Sequence, residues 1–271
     1  MFGRRPAQSD SFSSRYGAGK SQKPKKSFKE TSFQTGLRRG DSVRSPPSKH
    51  TTSPSAGSTL TSPIVTLCVG PQQRLFAGHE DILCRSPYFE KACRGQFYDG
   101  SARRINLPDE CPEVLSAVLE FLYKQDYSPR LIHNKRKDTW EIEDADKYEA
   151  TIVHHAVKGP LLKDTAIYCS ADRYGLSELK RLALRKQGLQ SNVTVSTILA
   201  SARWAYIHTP DDDSKLRGHY LALIIRSRNT FKRSSAMKTE MEEGGKLFFD
   251  LFVAMCNHID DLQTVRSPFS R

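Results

Sequence analysis

Residues 64–89 read IVTLCVGPQQRLFAGHEDILCRSPYF. The β-branched run from Ile64 to Val69 predicts a strand, and Gly70-Pro71 punctuates it. Arg74-Leu75-Phe76-Ala77 predicts a second short strand, which closes a hairpin. His79 to Arg85 follows as a short helix with Ile82 and Leu83 turned inward. Ser86 before Pro87 is an N-cap with proline at the first helical position, so a new helix starts there. That helix carries Tyr88, Phe89 and Ala92 toward the core.

Further along, Arg104-Ile105-Asn106-Leu107 alternates polar and apolar and predicts a third strand. Pro112 opens a helix in which Val114, Leu115, Val118, Leu119 and Leu122 form one stripe. Ile167, Ala171 and Tyr174 recur at helical spacing, and Gly175 suits the position just past a helix end. Ser177 is read as the cap of a next helix, which carries Leu179, Leu182 and Ala183 and stops at Gly188. Val195, Ile198, Leu199 and Ala202 make another stripe. Asp211-Asp212-Asp213 places carboxylates at a helix N-terminus, where the macrodipole favours them; that helix buries Leu216, Tyr220, Leu223 and Ile224. The last helix, read as the most amphipathic, has Leu247, Phe248, Leu251, Phe252, Met255 and Ile259 on one face. Between Lys124 and Pro160 lies a mixed-charge interruption, read as a surface insertion in which Trp140 and Ile142 dock on the domain.

In this order, Leu67-x-Val69, Phe76-x-x-His79, Leu83-x-x-Ser86-Pro-Tyr-Phe89, Phe97, Ile105-x-Leu107-Pro-Asp109 and Phe121-Leu-Tyr123 resemble the BTB/POZ domain. The resemblance covers residues 64–127 and resumes near Leu161. There, Leu161-Leu162, Tyr168, Ala171-Asp-Arg-Tyr174, Leu176 and Leu179-Lys180 resemble the helical pair that closes that fold. The C-terminal part resembles fungal BTB proteins, in which helices follow the domain directly. The implied fold is α+β: a small sheet of three or more strands clad by helices, then a C-terminal helical extension. The expected divisions are a tail over 1–63, a BTB/POZ core over 64–127 and a charged insertion over 128–160. Closing helices over 161–188, a helical extension over 189–262 and a short tail over 263–271 complete the chain.

The 271 residues carry 42 Lys+Arg against 30 Asp+Glu, a net charge of +12, and 37% are hydrophobic. Mean hydropathy is −0.57. No apolar run approaches the ~20 residues of a membrane span. Residues 1–63 alone hold 12 Lys+Arg against 3 Asp+Glu, with 14 Ser, 6 Gly and 6 Pro. Such a composition buries too little apolar area to offset its ordering entropy, so a disordered basic tail is expected. Lys20, Lys23, Lys25, Lys26 and Lys29 form its densest basic cluster, which is read either as a solvated tail or as a nuclear-targeting or phosphate-binding element. The six cysteines are scattered without a C-x-x-C pair, which fits reduced thiols in an intracellular protein. The start lacks an apolar signal core. The expected location is the cytoplasm, the nucleus or both.

Motifs for chemistry are missing. His79-Glu80 begins a zinc-protease pattern, but Leu83 occupies the place of the second histidine. The resemblance makes His79 a structural residue of the first helix. His154 and His155 are adjacent, and neighbours on a regular element point apart. Cys256-x-His258 has no second pair at zinc-site spacing. There is no G-x-G-x-x-G, P-loop or G-x-S-x-G. The sequence therefore predicts a non-enzyme with no catalytic residue, cofactor or metal.

The resemblance places function on surfaces. It implies a dimer face near His79 to Phe89, with Tyr88 and Phe89, joined by the chain before Val65. It also implies a groove beside Phe97 and the Asp164–Gly175 helix, with Tyr168. In members that recruit cullin-type ubiquitin ligases, a hydrophobic-x-acid element precedes the third strand, and Phe97-Tyr98-Asp99 stands there. An aromatic anchor with one carboxylate for register is the physical logic; packing of Phe97 beneath the domain is the other reading. Ile64 and Glu80 stand where dimeric members carry an Asp and a basic residue as a buried pair. Losing both avoids an orphan charge. Two functions compete: a protein-binding adaptor, in one form a cullin-ligase substrate receptor, and a nuclear regulator whose basic tail associates with nucleic acid. Aromatics are sparse in the tail, so base stacking has little support. Expected partners are proteins, including a second copy, with no membrane and no small-molecule substrate.

Overall fold

The computed structural model describes residues 62–94, 103–143, 149–189 and 193–266. Strand β1 (Ile64–Val69) lies at the centre of a three-stranded sheet. It pairs antiparallel with β2 (Arg74–His79), with Val69 opposite Arg74, and parallel with β3 (Arg104–Leu107), with Leu67 opposite Ile105. Val65, Leu67 and Val69 are fully buried, as the period-2 pattern of a half-buried strand requires.

Helix α1 (Glu80–Leu83) buries Ile82 and Leu83. Helix α2 (Pro87–Arg94) begins where the Ser-Pro pair places it. The Ser86 carbonyl accepts the Glu90 N–H at 2.9 Å, and its buried hydroxyl donates to the Tyr174 carbonyl at 2.7 Å. One residue thus starts a helix and ties it to a chain segment 88 positions away. Phe89 is fully buried, stacked on Tyr174 at 4.9 Å, while Tyr88, expected toward the core, is 36% exposed. Helix α3 (Pro112–Lys124) buries all five residues of its stripe and also Ala117 and Phe121, because elements cover it on more than one side.

The stretch 128–160, read as a charged insertion, carries two hairpins: β4 (Leu131–Asn134) with β5 (Thr139–Ile142), and β6 (Thr151–His154) with β7 (Gly159–Leu162). Local turn chemistry makes them. The Asn134 side-chain oxygen accepts the Arg136 and Lys137 N–H groups, and Asp138 and Lys158 take positive φ at the strand returns. Trp140 rests over the Arg185 guanidinium at 5.1 Å.

Helix α4 (Lys163–Arg173) is buried from Asp164 to Ala171, and α5 (Ser177–Gln187) folds back along it. The turn is a Schellman motif: Leu176 N–H donates to the Ala171 carbonyl at 2.8 Å and Gly175 N–H to the Asp172 carbonyl at 3.1 Å, with Gly175 at φ +70°. Ser177 is the first helical residue and not the cap, since Leu176 holds that position without a side-chain bond. The extension comprises α6 (Val195–His208), α7 (Ser214–Arg226), α8 (Arg228–Phe231), α9 (Ser235–Glu243) and α10 (Lys246–Arg266). Thr194 caps α6 and Asp213 caps α7 through side-chain oxygens. The buried apolar side chains form one connected core that runs from Val65 in the sheet to Ala254 in α10.

Helix α10 departs from expectation. Leu247, Leu251 and Ala254 face the core, but Phe252 is 66%, Met255 42% and Ile259 50% exposed. Apolar residues cover more of its circumference than α6 and α7 can meet. Among the described residues, no helix is long and apolar enough to cross a membrane.

Candidate functional site

A cleft of about 700 Å³ opens where α4, the α4–α5 turn and α5 meet the loop before α7. Its floor is built from Tyr168, Lys180 and Asp213. Asp213 sits at the cap of α7 because its side chain accepts the Lys215 and Leu216 N–H groups at 3.1 and 3.4 Å. The same carboxylate accepts the Tyr168 hydroxyl at 3.0 and 2.9 Å and the Lys180 ammonium at 2.7 Å. Lys180 also holds Asp172 at 2.6 Å and lies 4.8 Å over the Tyr168 ring. One acid therefore joins α4, α5 and α7.

The electrostatics follow from that geometry. Burial alone would raise the Asp213 carboxyl, but hydrogen bonds from Lys180 and Tyr168 outweigh it and hold it below its usual value. Burial would likewise lower Lys180, and Asp172 and Asp213 reverse this, keeping the ammonium charged. Burial and then the Asp213 hydrogen bond push the Tyr168 hydroxyl up. These groups are committed to one another, so none is poised to donate or accept a proton near neutral pH. What the cleft offers a visitor is apolar surface on Leu176, Leu184 and Pro210, rimmed by charges of both signs, Arg181 and Lys215 with Glu178 and Asp212.

Two other buried polar clusters serve the frame. Glu110, only 3% exposed, accepts Ser170 Oγ at 3.1 Å and Tyr174 Oη at 2.5 Å, with Arg173 at 3.6 Å. Lys186, 1% exposed, donates to Asp126 at 2.6 Å, to the Tyr127 carbonyl at 2.5 Å and to the Pro129 carbonyl at 2.6 Å. Burial lowers its ammonium, a property of catalytic lysines. Yet its three donors are spent on three acceptors, so it clamps the loop after α3. Burial also pushes the thiols of Cys93 and Cys169 up to about 12 and that of Cys111 up to about 11. Thiols so shifted are poor nucleophiles near neutral pH.

The residues expected to bind partners are not brought to one place. Tyr168 lies in the cleft floor at 1% exposure, so it shapes the groove and presents little surface. Phe89 is interior, and Tyr88 beside it is the accessible aromatic of the expected dimer face. Phe97, Asp99 and the lysines Lys20, Lys23, Lys25, Lys26 and Lys29 lie outside the described residues. His79 is structural: its N–H donates to the Tyr123 hydroxyl at 2.9 Å, and its Nδ1 lies 2.6 Å from the same oxygen. Contrary to expectation, the rings of His154 and His155 stack at 4.8 Å, because the chain leaves β6 for a turn between them. His154 also meets Trp204 at 4.3 Å, and Trp204 stacks on His208 at 3.6 Å. Among the described residues, no three His, Cys, Asp or Glu side chains gather as a metal site. Sequence reading missed the roles of Glu110, Lys186 and Lys180. For Asp213 the Asp-Asp-Asp run before an apolar stripe signalled a cap, though not the contacts across helices.

Comparison with protein-family models finds the BTB/POZ domain over residues 65–161. The matched span includes both hairpins and ends in β7. No curated protein matches the chain.

Proposed function

We propose, from the BTB/POZ domain at residues 65–161 as premise, that this chain is a non-enzymatic adaptor that binds protein partners on its exterior. In the finer form of this reading, a cullin-type ubiquitin-ligase scaffold occupies the cleft beside α4, and other surfaces hold the client. The supporting observation is the cleft itself. Its ionisable groups neutralise one another, its frame is tied across three helices by Asp213, and its apolar surface on Leu176, Leu184 and Pro210 is edged by charges of both signs. Such a site suits capture of a polypeptide segment: rigid walls reduce the ordering cost of binding, and rim charges set register.

The test is calorimetric titration of the full chain with the N-terminal domain of a cullin-type scaffold. Arg181→Glu at the rim and Phe97→Ala in the hydrophobic-x-acid element should each weaken binding about tenfold, a loss of ~1.4 kcal/mol. The thermal unfolding midpoint should fall only slightly for Arg181→Glu, whose exposed side chain gives up a surface pair with Glu178. Absence of binding by the unaltered chain overturns the cullin assignment; unchanged affinity in both variants overturns the cleft.

A second reading rests on the 12 Lys+Arg of residues 1–63. It requires duplex DNA to bind with a steep salt dependence that disappears when Lys20, Lys23, Lys25, Lys26 and Lys29 become glutamine. The adaptor reading expects no such binding at physiological salt.

A further inference from the structure

The outward side of α10 is apolar along most of its length. Phe249, Phe252, Cys256 and Ile259 follow the i, i+3, i+7, i+10 spacing of one helix face, with Met255 beside them. Phe249 is 68% and Phe252 66% exposed. Two solvent-facing phenylalanines on one helical ridge make a patch of the kind that marks an interaction site.

The helix that carries this ridge is locally acidic in a basic chain. Residues 247–263 of α10 hold Asp250, Asp260 and Asp261 and no Lys or Arg, in a chain of net charge +12, whereas on α9 Glu240 and Glu243 are paired with Arg203 and Glu242 with Lys238. An occupant should therefore be basic and carry a few large apolar side chains. A second copy of α10 fails this criterion, because it would set Asp250 and Asp260 against the same acids. Residues 20–33, KSQKPKKSFKETSF, meet it: five Lys, one Glu, and Phe28 and Phe33 as anchors. The chain between Phe33 and the first described residue can span up to roughly 95 Å when extended. That exceeds the width of a fold of about 200 residues, whose radius of gyration is roughly 17 Å. Tethering also gives the segment an effective concentration in the millimolar range.

We propose that residues 20–33 dock in cis on the outward apolar ridge of α10, with Phe28 and Phe33 against Phe249, Phe252 and Ile259 and the lysines beside Asp250 and Asp260. The α10 ridge would then be a surface covered by the chain's own basic segment.

Cys256 reports on this directly, because it lies on the ridge and is exposed, while Cys68, Cys93, Cys111 and Cys169 are buried. The experiment is the rate of Cys256 alkylation by N-ethylmaleimide, resolved by mass spectrometry, in the full chain at low salt. A second full chain, with the five lysines 20, 23, 25, 26 and 29 changed to glutamine, is measured in the same buffer. That change lies outside the described fold. The proposal expects alkylation at least about fivefold slower in the unaltered chain, the low end for coupled sites. The difference should be independent of protein concentration and lost at high salt. Equal rates in the two chains overturn it. Protection that grows with protein concentration also overturns it, since a second copy would then be the cover.

Discussion

Lys186 looks in sequence like any lysine on a helical basic run, yet it is the most deeply placed cation of the described fold, at 1% exposure. Its stem packs under the loop after α3 and its ammonium lies 3.6 Å from the Tyr127 ring centre. Lys186→Met preserves much of the packing but leaves Asp126 and two carbonyls without their donor, and should cost about 3 kcal/mol in urea unfolding. Arg181→Ala, on the exposed side of the same helix, should change stability by no more than about 0.5 kcal/mol. His154 supplies the pH dependence. Burial, then the charges of His155, His208 and Arg173, hold its imidazole down at about 4 from a usual 6.5. The unfolded chain takes up a proton that the native state refuses, so the stability contributed is whole above pH 6.5 and lost as pH falls from 6.5 to 4. The loss is at most about 3 kcal/mol. His154→Phe keeps an aromatic ring against Trp204 and should flatten that part of a melting-temperature profile; an unchanged slope contradicts the assignment.

Elements were readable where local chemistry and pattern agreed. The Ser86-Pro87 start, the alternation of β3, the stripe of α3 and the glycine after α4 each have one physical reading, and each is found where it was expected. Gly175 carries two constraints at once: φ is +70°, and an added Cβ would meet the Pro87 ring at 3.1 Å. Gly175→Ala should therefore destabilise by roughly 1–2 kcal/mol in thermal or urea unfolding. Elements were misread where tertiary contact decides. The four-residue strands of the two hairpins are shorter than a reliable period, and their charged turns dominate composition. In α10, periodicity shows an apolar arc but not how much of it neighbours cover. Phe248 and Leu251 lie inward and Phe252 outward for reasons that only packing of α6 and α7 supplies.

At the scale of the molecule, the order of strands and helices carried the fold, because few arrangements place a hairpin, two short helices, a returning parallel strand and a long helix around one core. The cleft was only partly readable. Tyr168 was placed beside a groove by resemblance, whereas the acid that forms the groove, Asp213, was read only as a helix cap; it joins partners from two other helices, and all three residues lie beyond the matched span of 65–161. Hydrogen bonds between residues 33 and 45 positions apart leave no trace in periodicity. The central claim, that the exterior at this cleft does the work, is tested most directly by hydrogen exchange of the full chain with and without the N-terminal domain of a cullin-type scaffold. Slower exchange concentrated in residues 168–184 and 210–215 is the predicted result. Binding with protection confined elsewhere, or no change at any position, would contradict it.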